Sequence, residues 1–361
     1  MAFDPADPAG PEFRAAVTRL LAEFVAVQRD LLAETGQRLD LVWQQARHFT
    51  SGGKRLRPAF CYWGYAAVAG QPADPAGVLT VAASLDLLHV SALVHDDIID
   101  RSDTRRGAPS AHRYFAKVHT QRGWAGKPNR FGHGAAILLG DILLAGSVAM
   151  AERAKLSGDR LRRARPYLDA ARTEVAAGQY LDLLYGVTGD AADPVVETTL
   201  IMEFKTSKYT VARPVQIGAA LGLAGDDVLA RLGRFGSHLG HAFQMRDDLL
   251  GLFGDPAVTG KPAGDDLREG KRTALIAHGL RLAGPAGVAR LHALLGNAEL
   301  DQAGVDEARD LLYRSGAVEA VERDIESEAV RALRLLGDLE LAPEGEQALT
   351  ALAHQAVERT A

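Results

Sequence analysis

The chain has 361 residues, with 41 Lys plus Arg against 46 Asp plus Glu and a formal net charge of −5. That balance argues against a nucleic-acid binder, which carries a basic excess, and gives no net pull toward an anionic membrane. Hydrophobic residues at 47% allow a core, and the single cysteine, Cys61, excludes an intrachain disulfide and a cysteine-based zinc site.

The first residues, MAFDPADPAGPEFR, place acids and prolines before any apolar run. They lack the basic start and apolar centre of a signal peptide, and residues 1–12 read as a flexible N-terminus. From Phe13 the helical template applies, with Val17, Leu20, Leu21, Phe24 and Val25 on one face. The same three- and four-residue spacing recurs over 78–100, 135–157, 160–185, 195–223, 226–252, 272–295, 302–313 and 316–336. Gly52-Gly53, Pro72 to Pro75, Gly186 to Pro194, Gly222 to Asp226 and Gly254 to Gly264 read as turns. Residues 119–134, HTQRGWAGKPNRFGHG, read as an exposed basic loop.

The length alone suggests about two domains. No low-complexity linker or repeat divides the chain, so residues 13–361 are expected to form one all-α domain of ten or more helices. The longest apolar region, Ala135 to Met150, is interrupted by Asp141, short of the roughly 18 apolar residues of a membrane span. A cytoplasmic protein without stable membrane insertion is expected.

The strongest chemical signal is DDIID at 96–100. Asp96 and Asp100 are four apart, so on a helix their carboxylates share a face. Hard oxygen ligands grouped this way suit Mg²⁺, which binds through one or two carboxylates plus substrate phosphates. A bare DDxxD could equally be a solvated helix end. A second pair, Asp247-Asp248, again ends an apolar helix, and the two clusters suggest two walls of one cavity holding a diphosphate. GGKRLRP at 52–58 sets Lys54 and Arg57 behind two glycines, a plausible anion site but a weak signal alone. Lys205, Lys261 and Lys271 supply further cations. His89 lies two turns before Asp96, where an isolated histidine is more often a core residue than a ligand.

In order, GGKRLRP, LLHVSALVHDDIIDRSDTRRG, GD at 140–141, GQYLD at 178–182, KTSKY at 205–209, FQMRDD at 243–248 and GDPAVTGKPAGDDLREGKRT at 254–273 form a specific set. The chain resembles the trans-isoprenyl diphosphate synthases (polyprenyl synthetases) over nearly its whole length. The resemblance implies a helical bundle of the isoprenoid synthase type around a central hydrophobic cavity. It implies a Mg²⁺-dependent prenyltransferase, with three ions per site, that condenses isopentenyl diphosphate with allylic diphosphates, and it implies a homodimer.

By the same resemblance, Lys54, Arg57, His89 and Arg106 would hold isopentenyl diphosphate. Asp96, Asp100 and Asp247 would hold the metal, with Asp97 supporting and Asp248 outside. Arg105, Lys205 and Lys261 would grip the allylic diphosphate. Thr206 and Gln244 would lie near the carbocation, and Lys271 would close the site's mouth. One departure stands out: the second motif reads DDLLG, with Gly251 where many members carry a third aspartate. Asp255 or Asp266 could compensate through water.

Product length in this family depends on residues four and five before the first motif. Here they are Ala92 and Ser91, both small, with Leu88 and Leu87 as the next layer. One helical turn adds about 5.4 Å, roughly one isoprene unit. Geranylgeranyl diphosphate is the expected product, with a longer polyprenyl chain or a non-catalytic subunit of a heteromer as alternatives. A class I terpene cyclase would leave Lys54, Arg57, His89 and Arg106 without purpose. A plain helical scaffold would leave both acid clusters unexplained.

Overall fold

The computed structural model describes residues 2–189, 191–254 and 264–358. In chain order the first helices are α1 (Pro11–Leu31), α2 (Asp40–Thr50) after a 3₁₀ stretch (Ala33–Leu39), α3 (Leu56–Ala69) and α4 (Ala76–Ile99). A two-residue hairpin, β1 (Thr104–Arg105) with β2 (Ala108–Pro109), leads to α5 (Ala111–Gln121), α6 (Pro128–Glu152) and α7 (Gly158–Thr188). Then come α8 (Pro194–Met202), a π-helical stretch (Glu203–Ala212), α9 (Arg213–Leu221) and α10 (Asp226–Phe253). The rest is α11 (Asp265–Glu269), α12 (Ala274–Leu282), α13 (Gly284–Leu294), α14 (Gln302–Arg314), α15 (Ala317–Gly337) and α16 (Pro343–Val357). The fold is all-α, as the spacing predicts.

Two compact units emerge. The first comprises Met1–Pro166, Pro214–Ala224 and Leu341–Leu349. Its centre is α4, against which α1, α2, α3, α5 and α6 pack. This helix is apolar all round because it is enclosed: Val81, Leu85, Leu87, Val90 and Val94 are all buried. Both α4 and α6 are long and apolar enough to cross a membrane, but 78% of the relevant α4 window is buried in the fold, against 44% for α6. Core packing accounts for the apolarity of α4; α6 keeps an uncovered face. Gly218 of α9 lets two backbones touch, since a Cβ there would lie 1.8 Å from the Cys61 carbonyl oxygen of α3.

Inside this unit Arg55 is 3% exposed, in a left-handed conformation before α3. Its guanidinium pairs with Asp86 of α4 and donates to Thr18 Oγ1 at 3.0 Å and to the Thr50 carbonyl at 2.6 Å. The middle cation of GGKRLRP is therefore a structural bolt.

The second unit comprises Tyr167–Arg213, Gly225–Glu340 and Thr350–Ala361. Here α10 packs against α15, α12 and the π-helical stretch, and α12 against α8 and α13. Several starts are capped as their sequences dictate. Asp193 accepts from the Val195 amide, with Pro194 opening α8, and Asp301 accepts from the Gly304 amide.

Four expectations need correction. The N-terminal residues are held rather than loose: Phe3 is buried, its ring 5.2 Å from those of Phe13 and Tyr62, and its backbone bonds Gln71 at both amide and carbonyl. Most of 119–134 is helical, because α5 runs to Gln121 and Pro128 opens α6. The window 195–223 is not one helix but α8, a π-helical stretch and α9. The window 272–295 contains two helices, broken at Ala283-Gly284, where Gly284 has φ +67°.

Removing one partner of a buried ion pair strands the other charge, typically at a cost of about 3–5 kcal/mol. Asp86→Ala should therefore lower thermal stability severely, and Asp86→Asn less so. Calorimetric unfolding with little change in either variant would show that the Arg55 bolt does not hold α4.

Candidate active site

The DDIID motif lies at the C-terminal end of α4, so its carboxylates gather where a helix presents its unpaired carbonyls. Negative charge is unfavourable there, and the hairpin that follows supplies the answer. Asp97 is fully buried, and Arg105 on β1 donates to it through Nε at 2.9 Å and through one Nη. The same Nη lies 3.9 Å from Asp96. Asp96 and Asp100 remain half-buried at the helix surface. Arg105, expected as a diphosphate ligand, thus spends one edge of its guanidinium on Asp97.

Arg106 follows in the left-handed region, φ 54°, and turns the opposite way. It donates to the Gly52 carbonyl at 3.0 Å. Gly53, at φ +122°, admits it: a Cβ there would meet the Arg106 guanidinium at 3.1 Å. Arg106 and the loop bearing Lys54 and Arg57 therefore come together. His89 is held among these cations. Burial first, then Arg57, Arg106, Arg105 and Arg55, keep its imidazole well below the ordinary range, so it is neutral at pH 7. A neutral imidazole among guanidinium groups can donate to an anion without adding to their mutual repulsion.

Ala92 and Leu88 of α4 lie within about a quarter-turn of Asp96, while Leu87 lies on the opposite side at 100° per residue. Leu87 is buried, and Gly146 of α6 sits between it and Phe24 of α1. Ser91 is also buried.

In the second unit, Lys205 and Thr206 sit in the π-helical stretch, whose wide turns are rare and cluster at functional sites. Lys205 pairs with Asp182 of α7. Gly178 makes that approach possible, since a Cβ there would lie 2.2 Å from the Lys205 amide nitrogen. Thr206 donates to Gln244 Oε1 at 2.9 Å, and Gln244 Nε2 donates to Asp248 at 2.7 Å. The amide of Ala274, at the start of α12, donates to the other Asp248 oxygen at 3.2 Å. Burial, reinforced by Asp266 and Asp247, pushes the Asp248 carboxyl up to about 7. Asp247 is its half-buried neighbour.

Both ends of the π-helical stretch are clamped. At its start Glu203 accepts from Ser237 at 2.8 Å and pairs with His241 Nε2 at 3.0 Å. At its end Arg213 forks onto Glu174 of α7, which also meets Lys208 at 3.3 Å. Burial alone would lower the His241 pKa; Glu203 and Glu328 outweigh it and raise it to about 9. Glu328, despite burial, is drawn down to about 2 by His238 and His241.

The GQYLD motif contained Asp182, but its role as the Lys205 partner is visible only in three dimensions. Glu174, Glu203 and His241 carried no sequence signal, because their partners lie 30 or more residues away. Lys271 pairs with Glu269 at 2.7 Å and lies 3.7 Å from Asp266. Lys261 and Asp255 lie outside the described residues. A Cβ on Gly251 would meet Asp266 Oδ2 at 2.9 Å. Asp266 thus already borders the space a third aspartate would enter. Among the described residues no three His, Cys, Asp or Glu side chains form a ready ion cage. The half-buried pair Asp96 and Asp100 fits a cation that completes its shell with water and phosphate oxygens.

The sequence matches the family described as Polyprenyl synthetase over residues 39–312. It is 31% identical to a geranylfarnesyl diphosphate synthase from Aeropyrum pernix, over 86% of this chain and 95% of that one. It is 30% identical to a nonaprenyl diphosphate synthase from Mycobacterium tuberculosis, over 94% and 95%. The crystal structure of a geranylgeranyl pyrophosphate synthase from Corynebacterium glutamicum, complexed with isoprenyl diphosphate and magnesium, superposes with a TM-score of 0.92 at 37% identity. That likeness covers 96% of this chain and 99% of the other.

Two outcomes follow from the local chemistry. Gly251→Asp should melt below the near-isosteric Gly251→Asn at pH 8, because Asp266 adds charge repulsion to crowding; equal melting temperatures would place Asp266 too far away to matter. The His241 clamp has its own pH signature. A group whose pKa rises on folding from 6.5 to about 9 stabilises fully below 6.5 and loses that contribution as pH climbs through 9. His241→Gln should therefore flatten the fall in melting temperature between those pH values, and an unchanged slope would assign the fall elsewhere.

Proposed function

The chain belongs to the polyprenyl synthetase family, and from that premise we propose that it makes geranylgeranyl diphosphate. Members of this family are prenyltransferases that join isopentenyl and allylic diphosphates into linear prenyl diphosphates, and this chain is one of them. The observation that carries the assignment of roles is the arrangement at the end of α4: Arg105 holds the buried Asp97, Asp96 and Asp100 flank it half-buried, and neutral His89 lies further back on the same helix under the influence of Arg57 and Arg106.

In this reading Lys54, Arg57, Arg106 and neutral His89 hold isopentenyl diphosphate. Lys205 and Lys261 hold the allylic diphosphate, joined by the Arg105 nitrogen not engaged by Asp97. Asp96, Asp100 and Asp247 are suited to three magnesium ions, which when bound supply positive charge against the departing diphosphate. Lys205 and its companions hold that leaving group as the allylic C–O bond breaks and its electron pair departs with the diphosphate. The double bond of isopentenyl diphosphate then attacks the allylic carbon. A proton leaves the new cation for the released diphosphate, so no protein base is required. Thr206 gives its hydroxyl hydrogen to Gln244, which leaves its oxygen lone pairs toward positive charge. Apolar walls exclude water that would quench the cation.

Small Ala92 and Ser91 support a product longer than one stopped by an aromatic ring there, and Leu88 is the candidate floor. The uncovered face of α6, with Ile137 45% and Leu138 62% exposed, supports a homodimer.

Incubation with isopentenyl diphosphate, Mg²⁺ and dimethylallyl, geranyl or farnesyl diphosphate, followed by dephosphorylation and mass spectrometry, tests the reading. A twenty-carbon alcohol is expected, with Ala92→Phe shortening it and Leu88→Ala lengthening it. A ladder of longer products from the wild-type chain would keep the enzyme class and reject the Leu88 floor. No condensation by folded protein would favour a regulatory subunit.

A further inference from the structure

The net charge of −5 conceals a strongly asymmetric segment. Between Asp103 and Asp141 the chain carries no acidic residue. Beyond Arg105 and Arg106 it carries Arg113, Lys117, Arg122, Lys127 and Arg130. Arg113 is paired with Asp103. Lys117, Arg122, Lys127 and Arg130 are exposed and make no ion pair among the described residues. Elsewhere exposed arginines find carboxylates, as in Arg162–Asp159, Arg165–Glu152 and Arg290–Glu307.

The connection between α5 and α6 is built around aromatic rings. The Trp124 amide donates to the His119 carbonyl at 3.2 Å, and His119 Nε2 contacts the Ala125 carbonyl at 3.1 Å. Trp124 and Phe131 meet edge-on at 5.2 Å, and Arg122 lies 5.4 Å from the indole centroid. Both rings remain open, Trp124 39% and Phe131 38% exposed. The patch lies wholly within the first unit.

We propose that this cationic, aromatic hairpin docks the protein reversibly on an anionic lipid bilayer. The four unpaired cations complement lipid phosphates, and half-exposed indole and phenyl rings favour the depth of the headgroups. A free diphosphate would use the cations but not the rings. A nucleic acid would need a longer track of phosphate contacts than one hairpin offers. The benefit rests on the reading above, because a twenty-carbon prenyl diphosphate is an amphiphile whose hydrocarbon tail partitions into a bilayer. The docking itself is measured without substrate, so its failure and that of the catalytic reading are separable.

The full chain would be sedimented with vesicles of phosphatidylcholine alone and of equal parts phosphatidylcholine and phosphatidylglycerol. Binding to the mixed vesicles should be at least about tenfold stronger at low salt and largely lost at high salt. Trp43 and Trp63 are buried, so Trp124 dominates the vesicle-sensitive fluorescence, which should shift to the blue. Arg122→Glu with Lys127→Glu should abolish sedimentation while leaving prenyltransfer in solution intact, which also shows that the variant folds. Trp124→Ser should remove the fluorescence shift. Equal binding to both vesicles, or binding insensitive to charge reversal, would overturn the proposal. So would charge reversal that raises KM for isopentenyl diphosphate without weakening sedimentation, or tighter binding to a DNA duplex than to vesicles.

Discussion

Charge buried in this protein has to be answered nearby, and most of the candidate site takes its shape from those answers. Asp97 draws Arg105 into the first motif, Asp86 draws Arg55 beneath the glycine loop, and Asp182 draws Lys205 toward α7. Each pair removes one member of a charged cluster from circulation. Asp96, Asp100 and Arg57 stay half-buried beside these pairs, and Lys54 is exposed. An unpaired buried charge would be far more costly than an exposed one, so this division is set by solvation before any substrate arrives.

The same principle operates on the π-helical stretch. Two ion-paired ends, Glu203 with His241 and Arg213 with Glu174, hold a backbone form that would otherwise relax toward ordinary helix. Thr206, Gln244 and Asp248 then form a line of hydrogen bonds ending on the α12 amide. Side-chain rigidity in this region comes from polar partners; the apolar core of the unit supports it from behind.

Much of this was legible in the sequence. Apolar spacing located the long helices, because burial on one face imposes it directly. Ordered motifs singled out Asp96, Asp100, His89, Lys205, Thr206 and Gln244 as candidates. Other features were hidden for physical reasons. Apolar periodicity cannot tell an α turn from a π turn over ten residues, so 195–223 looked like one helix. Pro128 and the glycines of 119–134 imitate a loop, although proline opens helices readily. Phe3 finds its partners at Phe13 and Tyr62, and nothing local announces that packing. Net charge, averaged over the chain, hid the acid-free segment that a positional count reveals. Relatives about 30% identical carry names with different product lengths, so likeness at that level gives the family and not the product.

The π-helical stretch bears on how such sequences diverge. Each π turn holds more residues than an α turn, so losing one residue from 203–212 would let the stretch tighten to ordinary helix and reorient the side chains within it. The clamps at Glu203 and Arg213 could then both hold only if Lys205 and Thr206 between them turned away from Asp182 and Gln244. Substitutions can accumulate along this segment one at a time, but its length is locked. An insertion or deletion there changes the geometry of the candidate site, and alignments of distant relatives should be anchored on it rather than allowed to open gaps within it.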